Sequence, residues 1–107
     1  MKIENRSIGS NYAPYIIAEM SGNHNQSLDR ALRIVEAASK SGAHALKLQT
    51  YTADTITLDV KEREFFIKDE KSLWKGNSLY DLYKVAYTPW AWHKPIMERA
   101  VKLGLIC

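Results

Sequence analysis

Only one cysteine, Cys107, stands among the 107 residues. That excludes an intramolecular disulfide and a cysteine-cluster metal site, and it fits a reducing compartment. Charge of one sign is also scarce: 15 Lys and Arg against 12 Asp and Glu leave a formal +3. Residues 1–50 carry 6 bases and 4 acids while residues 51–107 carry 9 and 8, so no basic patch selects nucleic acid or a membrane surface as partner. The apolar runs are a handful of residues each, too short to span a bilayer. The polar start Met1-Lys2-Ile3-Glu4-Asn5-Arg6 lacks the make-up of a signal peptide, so a cytoplasmic protein is expected. Three histidines lie too far apart for a metal-ligand spacing such as His-x-x-x-His. There is no internal repeat and no low-complexity segment. What remains, at 46% apolar, is one small globular domain at most.

The pattern along the chain predicts alternating strands and helices. Pro14-Tyr15-Ile16-Ile17-Ala18-Glu19-Met20 reads as a buried strand, closed by the turn-forming Ser21-Gly22-Asn23-His24-Asn25. Ser27 is the predicted N-cap of a helix whose apolar positions Leu28, Ala31, Leu32, Val35 and Ala38 recur at helical spacing, and Gly42 ends it. Residues 43–50 form a second strand, which gives a βαβ unit with parallel strands and both carboxyl ends on one edge. Residues 51–77 show no sustained period and read as a functional loop or lid, with room for a helical turn around residues 61–67. Ser78 with Asp81 resembles a capping box opening a short helix through Ala86. Thr88 as N-cap and Pro89 at the first helical position then predict a second helix, kinked or restarted near Pro95 and ending at Gly104. Leu105-Ile106-Cys107 opens a third strand.

Strand parity brings chemistry to one edge. Tyr15, Ile17 and Glu19 share a face of the first strand, and Ala43, Ala45, Lys47 and Gln49 share a face of the second. The opposite faces, Ile16, Ala18 and Met20 with Leu46 and Leu48, are apolar and suit packing under helices. A carboxylate and an ammonium thus come to the carboxyl ends of parallel strands, where α/β proteins bind ligands. Two readings stay open: a structural ion pair, or a ligand site completed by the Gly22-Asn23-His24 turn, with Lys47 holding a phosphate or carboxylate. His44 faces away from Lys47, and His93 sits near a helix start among Trp90 and Trp92, so neither is singled out. Trp74-Lys75-Gly76-Asn77 either reaches over a pocket or packs as a loop tip.

Three blocks carry a resemblance: Ile17-Ala18-Glu19-Met20-Ser21-Gly22-Asn23-His24, Lys47-Leu48-Gln49-Thr50-Tyr51-Thr52-Ala53-Asp54-Thr55 and Ser78-Leu79-Tyr80-Asp81-Leu82-Tyr83, with Tyr87-Thr88-Pro89-Trp90 beyond. Through them the chain resembles the sialic acid synthase family, above all its pseudaminic acid synthase branch. The resemblance implies an α/β fold, the amino-terminal βαβα portion of a (β/α)8 TIM barrel stopping at the start of its third strand. Residues 1–107 would be a partial synthase domain without the family's antifreeze-like C-terminal domain. It also implies condensation of phosphoenolpyruvate with an N-acetylated deoxy sugar to a nonulosonic acid and phosphate. Glu19 matches the family's active-site glutamate and Lys47 a lysine that binds phosphoenolpyruvate. By the same resemblance Gln49 and Asn23 would be substrate-binding or supporting groups in the same blocks, and Asn77 looks like the counterpart of a sugar-binding asparagine. A divalent metal such as Mn2+ would be held by residues outside this chain, and the full-length protein would be a homodimer. Since a barrel needs about 250 residues, activity of this stretch alone is not expected. A sialic or legionaminic acid synthase and a non-catalytic α/β interaction module are the alternatives.

Overall fold

The computed structural model describes residues 1–107, with every side chain except that of Arg63. Two short strands, β1 (Lys2–Ile3) and β2 (Arg6–Ser7), come first, then β3 (Ile17–Glu19), α1 (Leu28–Lys40) and β4 (Ala45–Lys47). Three helices follow, α2 (Ala53–Ile56), α3 (Leu79–Ala86) and α4 (His93–Lys102), with single 3-10 turns at Arg63–Phe65 and Trp90–Trp92. Among the described residues no helix is long and apolar enough to cross a membrane.

The βαβ unit is present as the sequence predicts. Ser27 is extended and its hydroxyl accepts the Arg30 N–H at 3.3 Å, satisfying one donor that the first turn leaves free. Gly42, at φ +83°, turns the chain out of α1 in a conformation that side chains disfavour. β3 then pairs β4 in parallel, Ile17 opposite Ala45, Ala18 opposite Leu46 and Glu19 opposite Lys47. On the far side of β4, Ile106 makes a parallel bridge to Ala45, with Leu46 N–H donating to Ile106 O at 2.7 Å. The predicted third strand is thus one bridged residue.

Both strands are shorter than predicted. Ser21, two residues past β3, adopts φ +50° and ends the extended run, and beyond Lys47 the chain parts from β3 and loses its ladder partner. Parity sorts the faces in part: Ile16, expected under the helices, is 49% exposed because it lies before β3 begins, and Ala45 on the Lys47 face is buried. Met20 and Leu46 are buried, and Ala18 and Leu48 pack against the same cluster as Ala31, Val35, Ala38, Ile96, Ala100 and Leu105. Small residues on α1 and α4 (Ala31, Ala38 and Ala100) let those two helices pack together, and an ion pair from Arg99 to Glu36 joins their flanks.

The second half departs further. Thr88 is not a helix cap. It is fully buried, its N–H donates to Gln49 O at 2.7 Å, and Pro89 instead precedes the Trp90–Trp92 turn. α4 starts at His93, so Pro95 falls in the first turn, where its missing N–H costs no helical bond and no kink is needed. Ser78 does cap α3, accepting the Asp81 N–H at 3.1 Å and donating to the Asp81 carboxylate at 2.8 Å. The connection at 51–77 holds more than expected: Thr52 and Thr55 form a capping box on α2, and Phe66 bridges Ser78. The β1–β2 hairpin, turning through Glu4 at φ +48°, has no counterpart in the sequence reading.

Ile96 is fully buried between α1 and the strands. Ile96→Ala should therefore cost about 2–5 kcal/mol in denaturant unfolding, through lost transfer energy and the cavity left behind. A loss well under 1 kcal/mol would contradict this packing.

Candidate functional site

The carboxyl edge of β3 and β4 puts Glu19 directly across from Lys47, whose Nζ donates to Glu19 Oε1. Sequence left the pair open between a structural role and a ligand site; the pair does form, yet its side chains stay 50% and 55% exposed. The desolvation cost expected for two buried charges is therefore absent. An ion pair this open to water contributes no more than about 1 kcal/mol. The fold has little need of it, and both groups are accessible to a ligand.

The loop after β3 shapes one side of this edge. Three of its non-glycine residues, Ser21, Asn25 and Gln26, sit at φ +50°, +46° and +54°. Gly22 faces α3 so closely that a Cβ there would lie 2.9 Å from Ala86 Cβ and 3.1 Å from Ala86 O. Asn23 donates from its main chain to Met20 O at 3.2 Å and from Nδ2 to the same oxygen at 3.0 Å. Its side-chain carbonyl is the end left for a ligand.

Gln49 follows Lys47 two residues on, past the end of β4, and with Asn23, Ser21, Gly22, Tyr51 and Trp74 it lines a cavity of about 230 Å³. Four of the five expected site residues, Glu19, Lys47, Gln49 and Asn23, therefore gather at or beside the two strand ends. Asn77 is exposed, its backbone closing turns with Trp74 and Ile67, and it lines neither this cavity nor the neighbouring one of about 360 Å³ around Asn23, Arg30 and Trp74. Trp74 borders both cavities, so its loop does reach the site.

Tyr51 lines the same cavity and the sequence reading passed over it. Its ring meets Tyr83 edge-on at 5.4 Å. Burial first and the Tyr83 phenol second push its pKa up, and its hydroxyl has no partner among the described residues.

The histidines do not join the site. His24 was expected to offer an imidazole near the carboxylate; it is fully buried, 5.1 Å from Trp92 in an edge-on contact. Its Nδ1 accepts the Gln26 N–H at 3.1 Å, which places the proton on Nε2. His44 Nδ1 accepts the Ile16 N–H at 2.8 Å and pins the entry of β3. His93 bonds Thr50 Oγ1 at 2.6 Å and Trp90 O at 2.9 Å. Among the described residues no three His, Cys, Asp or Glu side chains gather as a metal would require, so these residues alone do not fit a divalent-metal centre.

Burial holds the His24 pKa below its ordinary 6.5. Protonation would also break the bond from Gln26 and leave a charge in the core. The unfolded chain then binds the extra proton first, so stability should fall as pH drops below 6.5 toward the folded pKa. Thermal midpoints recorded between pH 7.5 and 5 should show that fall, and His24→Phe should flatten it. An equal slope in the variant would reject the assignment.

The NeuB family profile matches residues 34–107. A pseudaminic acid synthase of Campylobacter jejuni subsp. jejuni is 47% identical over 93 residues, which cover 87% of this chain and 26% of that protein. The N,N'-diacetyllegionaminic acid synthase of Legionella pneumophila is 34% identical over 97 residues, covering 91% of this chain and 27% of its own length. The chain thus spans about a quarter of the curated relatives it matches. Among solved structures, the N-acetylneuraminic acid synthetase of Leptospira borgpetersenii, crystallised with citrate, superposes with a TM-score of 0.75 at 27% identity, over 98% of this chain and 31% of that one.

Proposed function

The chain belongs to the NeuB family, and from that premise we propose that it supplies the first substrate-binding strands of a synthase that joins phosphoenolpyruvate to an N-acetylated deoxy sugar. The product would be a nonulosonic acid of the pseudaminic type and inorganic phosphate. Identity of 47% to a pseudaminic acid synthase against 34% to a legionaminic one favours that branch. A (β/α)8 barrel is the architecture that goes with this reading. The parallel β3–β4 pair spanned by α1, with Ile106 next to β4, supports it.

One observation carries the proposal: an accessible carboxylate and ammonium side by side at the carboxyl edge, with the amides of Asn23 and Gln49 at the adjoining cavity. In the reaction, C3 of the enolpyruvate attacks the sugar aldehyde carbon and water adds at C2. Phosphate then leaves and the C2 keto group forms. Lys47 binds the anionic reactant through a charge-assisted contact, exchanging Glu19 for a phosphate or carboxylate oxygen. Glu19, released from that bond, orients a sugar hydroxyl or the water that adds at C2. A single ammonium leaves most of the charge of phosphoenolpyruvate unpaired, so further cations have to come from elsewhere in the whole protein.

Two variants of the whole protein test these roles. Lys47→Ala should raise the KM for phosphoenolpyruvate by roughly 10- to 150-fold, the equivalent of about 1.5–3 kcal/mol for a hydrogen bond to a charged group. Unchanged KM and kcat would remove Lys47 from the site. Glu19→Gln should lower kcat by about 10²- to 10⁴-fold while the thermal midpoint barely moves, because an amide of the same shape can still accept a hydrogen bond from Lys47. Near-normal turnover with a large loss of stability would assign Glu19 to the fold instead.

A further inference from the structure

A left-handed backbone is easy for glycine and strained for residues that carry a side chain. Strain of this kind is retained where the surrounding structure gains by it. Gln26 is such a position, at φ +54°. Its N–H is bonded to buried His24 Nδ1. Its side-chain amide donates to two main-chain oxygens, Val85 O and, at 3.2 Å, Tyr87 O. Those oxygens belong to the last turn of α3 and the residue just past it, where a helix leaves carbonyls without intrahelical donors.

The same short segment touches the site at two more points. Ala86 abuts Gly22, and Thr88 N–H donates to Gln49 O at 2.7 Å. Residues 85–88 therefore stand between the loop that carries Asn23 and the strand end that carries Gln49. Of these three ties, the one made by Gln26 is the one that side-chain hydrogen bonds supply.

We propose that Gln26 is a positioning residue, which fixes the β3 loop to the carboxyl end of α3 and so sets the spacing of Asn23 and Gln49 across the cavity they line; the role rests on the reading of these strand ends as the substrate site. The requirement is for hydrogen-bond donors aimed at two carbonyl oxygens. A carboxamide has two N–H groups and meets it. A carboxylate of the same shape turns oxygen toward oxygen, and a guanidinium restores the donors at a helix end that favours positive charge.

The test compares Gln26→Gly, Gln26→Glu and Gln26→Arg in the whole protein. Steady-state kinetics, thermal midpoint and amide hydrogen exchange across residues 21–27 are measured on each. Gln26→Gly relieves the backbone strain as it removes the tie, so it should keep a midpoint close to the parent's. Its kcat should still fall about 10- to 100-fold, the effect of misplacing a reacting group by about an ångström. Gln26→Glu should fall at least as far, and Gln26→Arg should recover most of the loss. Exchange at the Asn23 and Asn25 amides, bonded to Met20 O and Gly22 O, should quicken in the Gly and Glu variants while that of α1 stays unchanged. Parent-like kinetics in both variants would overturn the proposal, as would a failure of Arg to restore what Gly and Glu lose. Should the parent not consume phosphoenolpyruvate at all, the functional reading falls. Exchange then decides the tie alone, and unaltered loop exchange would overturn it.

Discussion

The register of three residue pairs between β3 and β4 governs what the carboxyl edge can do. A slip of one residue would send Glu19 or Lys47 to the helix-covered face and bring Ala18 or Leu46 into water. Several contacts prevent it. Burial of Met20 and Leu46 under α1 and α4 penalises the slipped arrangement, and His44 accepts the Ile16 N–H at the entry. At the exit Met20 N–H donates to Lys47 O at 3.0 Å, which carries the ladder one residue past the charged pair. Apolar packing on one face thus sets the position of polar chemistry on the other.

The edge is braced from the side as well. α3 ends against the loop after β3, and the segment beyond it binds the end of β4, so a helix with few fully buried residues of its own still has a structural task. Gly22 has no left-handed φ; it is small because Ala86 occupies the space where a Cβ would stand. The edge-on contact of buried His24 with half-buried Trp92 ties this loop to the start of α4.

Much of this was legible in the sequence, and the rest was not for identifiable reasons. Ser27 and Ser78 announce their helices because capping depends on one side chain and the turn that follows it. Alternation along residues 15–19 and 45–49 revealed the faces, since parity survives even when strands are only three residues long. Strand length itself depends on where a partner chain is available, which no local pattern encodes. Thr88 carries the local signature of a cap, yet tertiary burial and its bond to Gln49 override it. His24 was read as an imidazole offered near the carboxylate, and its burial beside Trp92 comes from packing between distant segments. The two-residue strands near the amino terminus are too short for any periodicity. At the site, Glu19, Lys47, Gln49 and Asn23 were reachable by parity and proximity to a turn, whereas the brace from Gln26 joins residues about sixty apart in sequence.

The half-exposure of Glu19 and Lys47 has an electrostatic corollary. Two unit charges about 4 Å apart attract by about 1 kcal/mol in bulk water and about 4 kcal/mol at an effective permittivity of 20. Whatever displaces water from this edge, a bound reactant or a covering segment, therefore strengthens every charged contact on it at once. The ammonium would hold an incoming anion more firmly in the closed state than in the open one, and the carboxylate would act on its neighbours with the same amplified field. An edge that is weakly interacting while it is wet is in this sense tuned by its own occupancy.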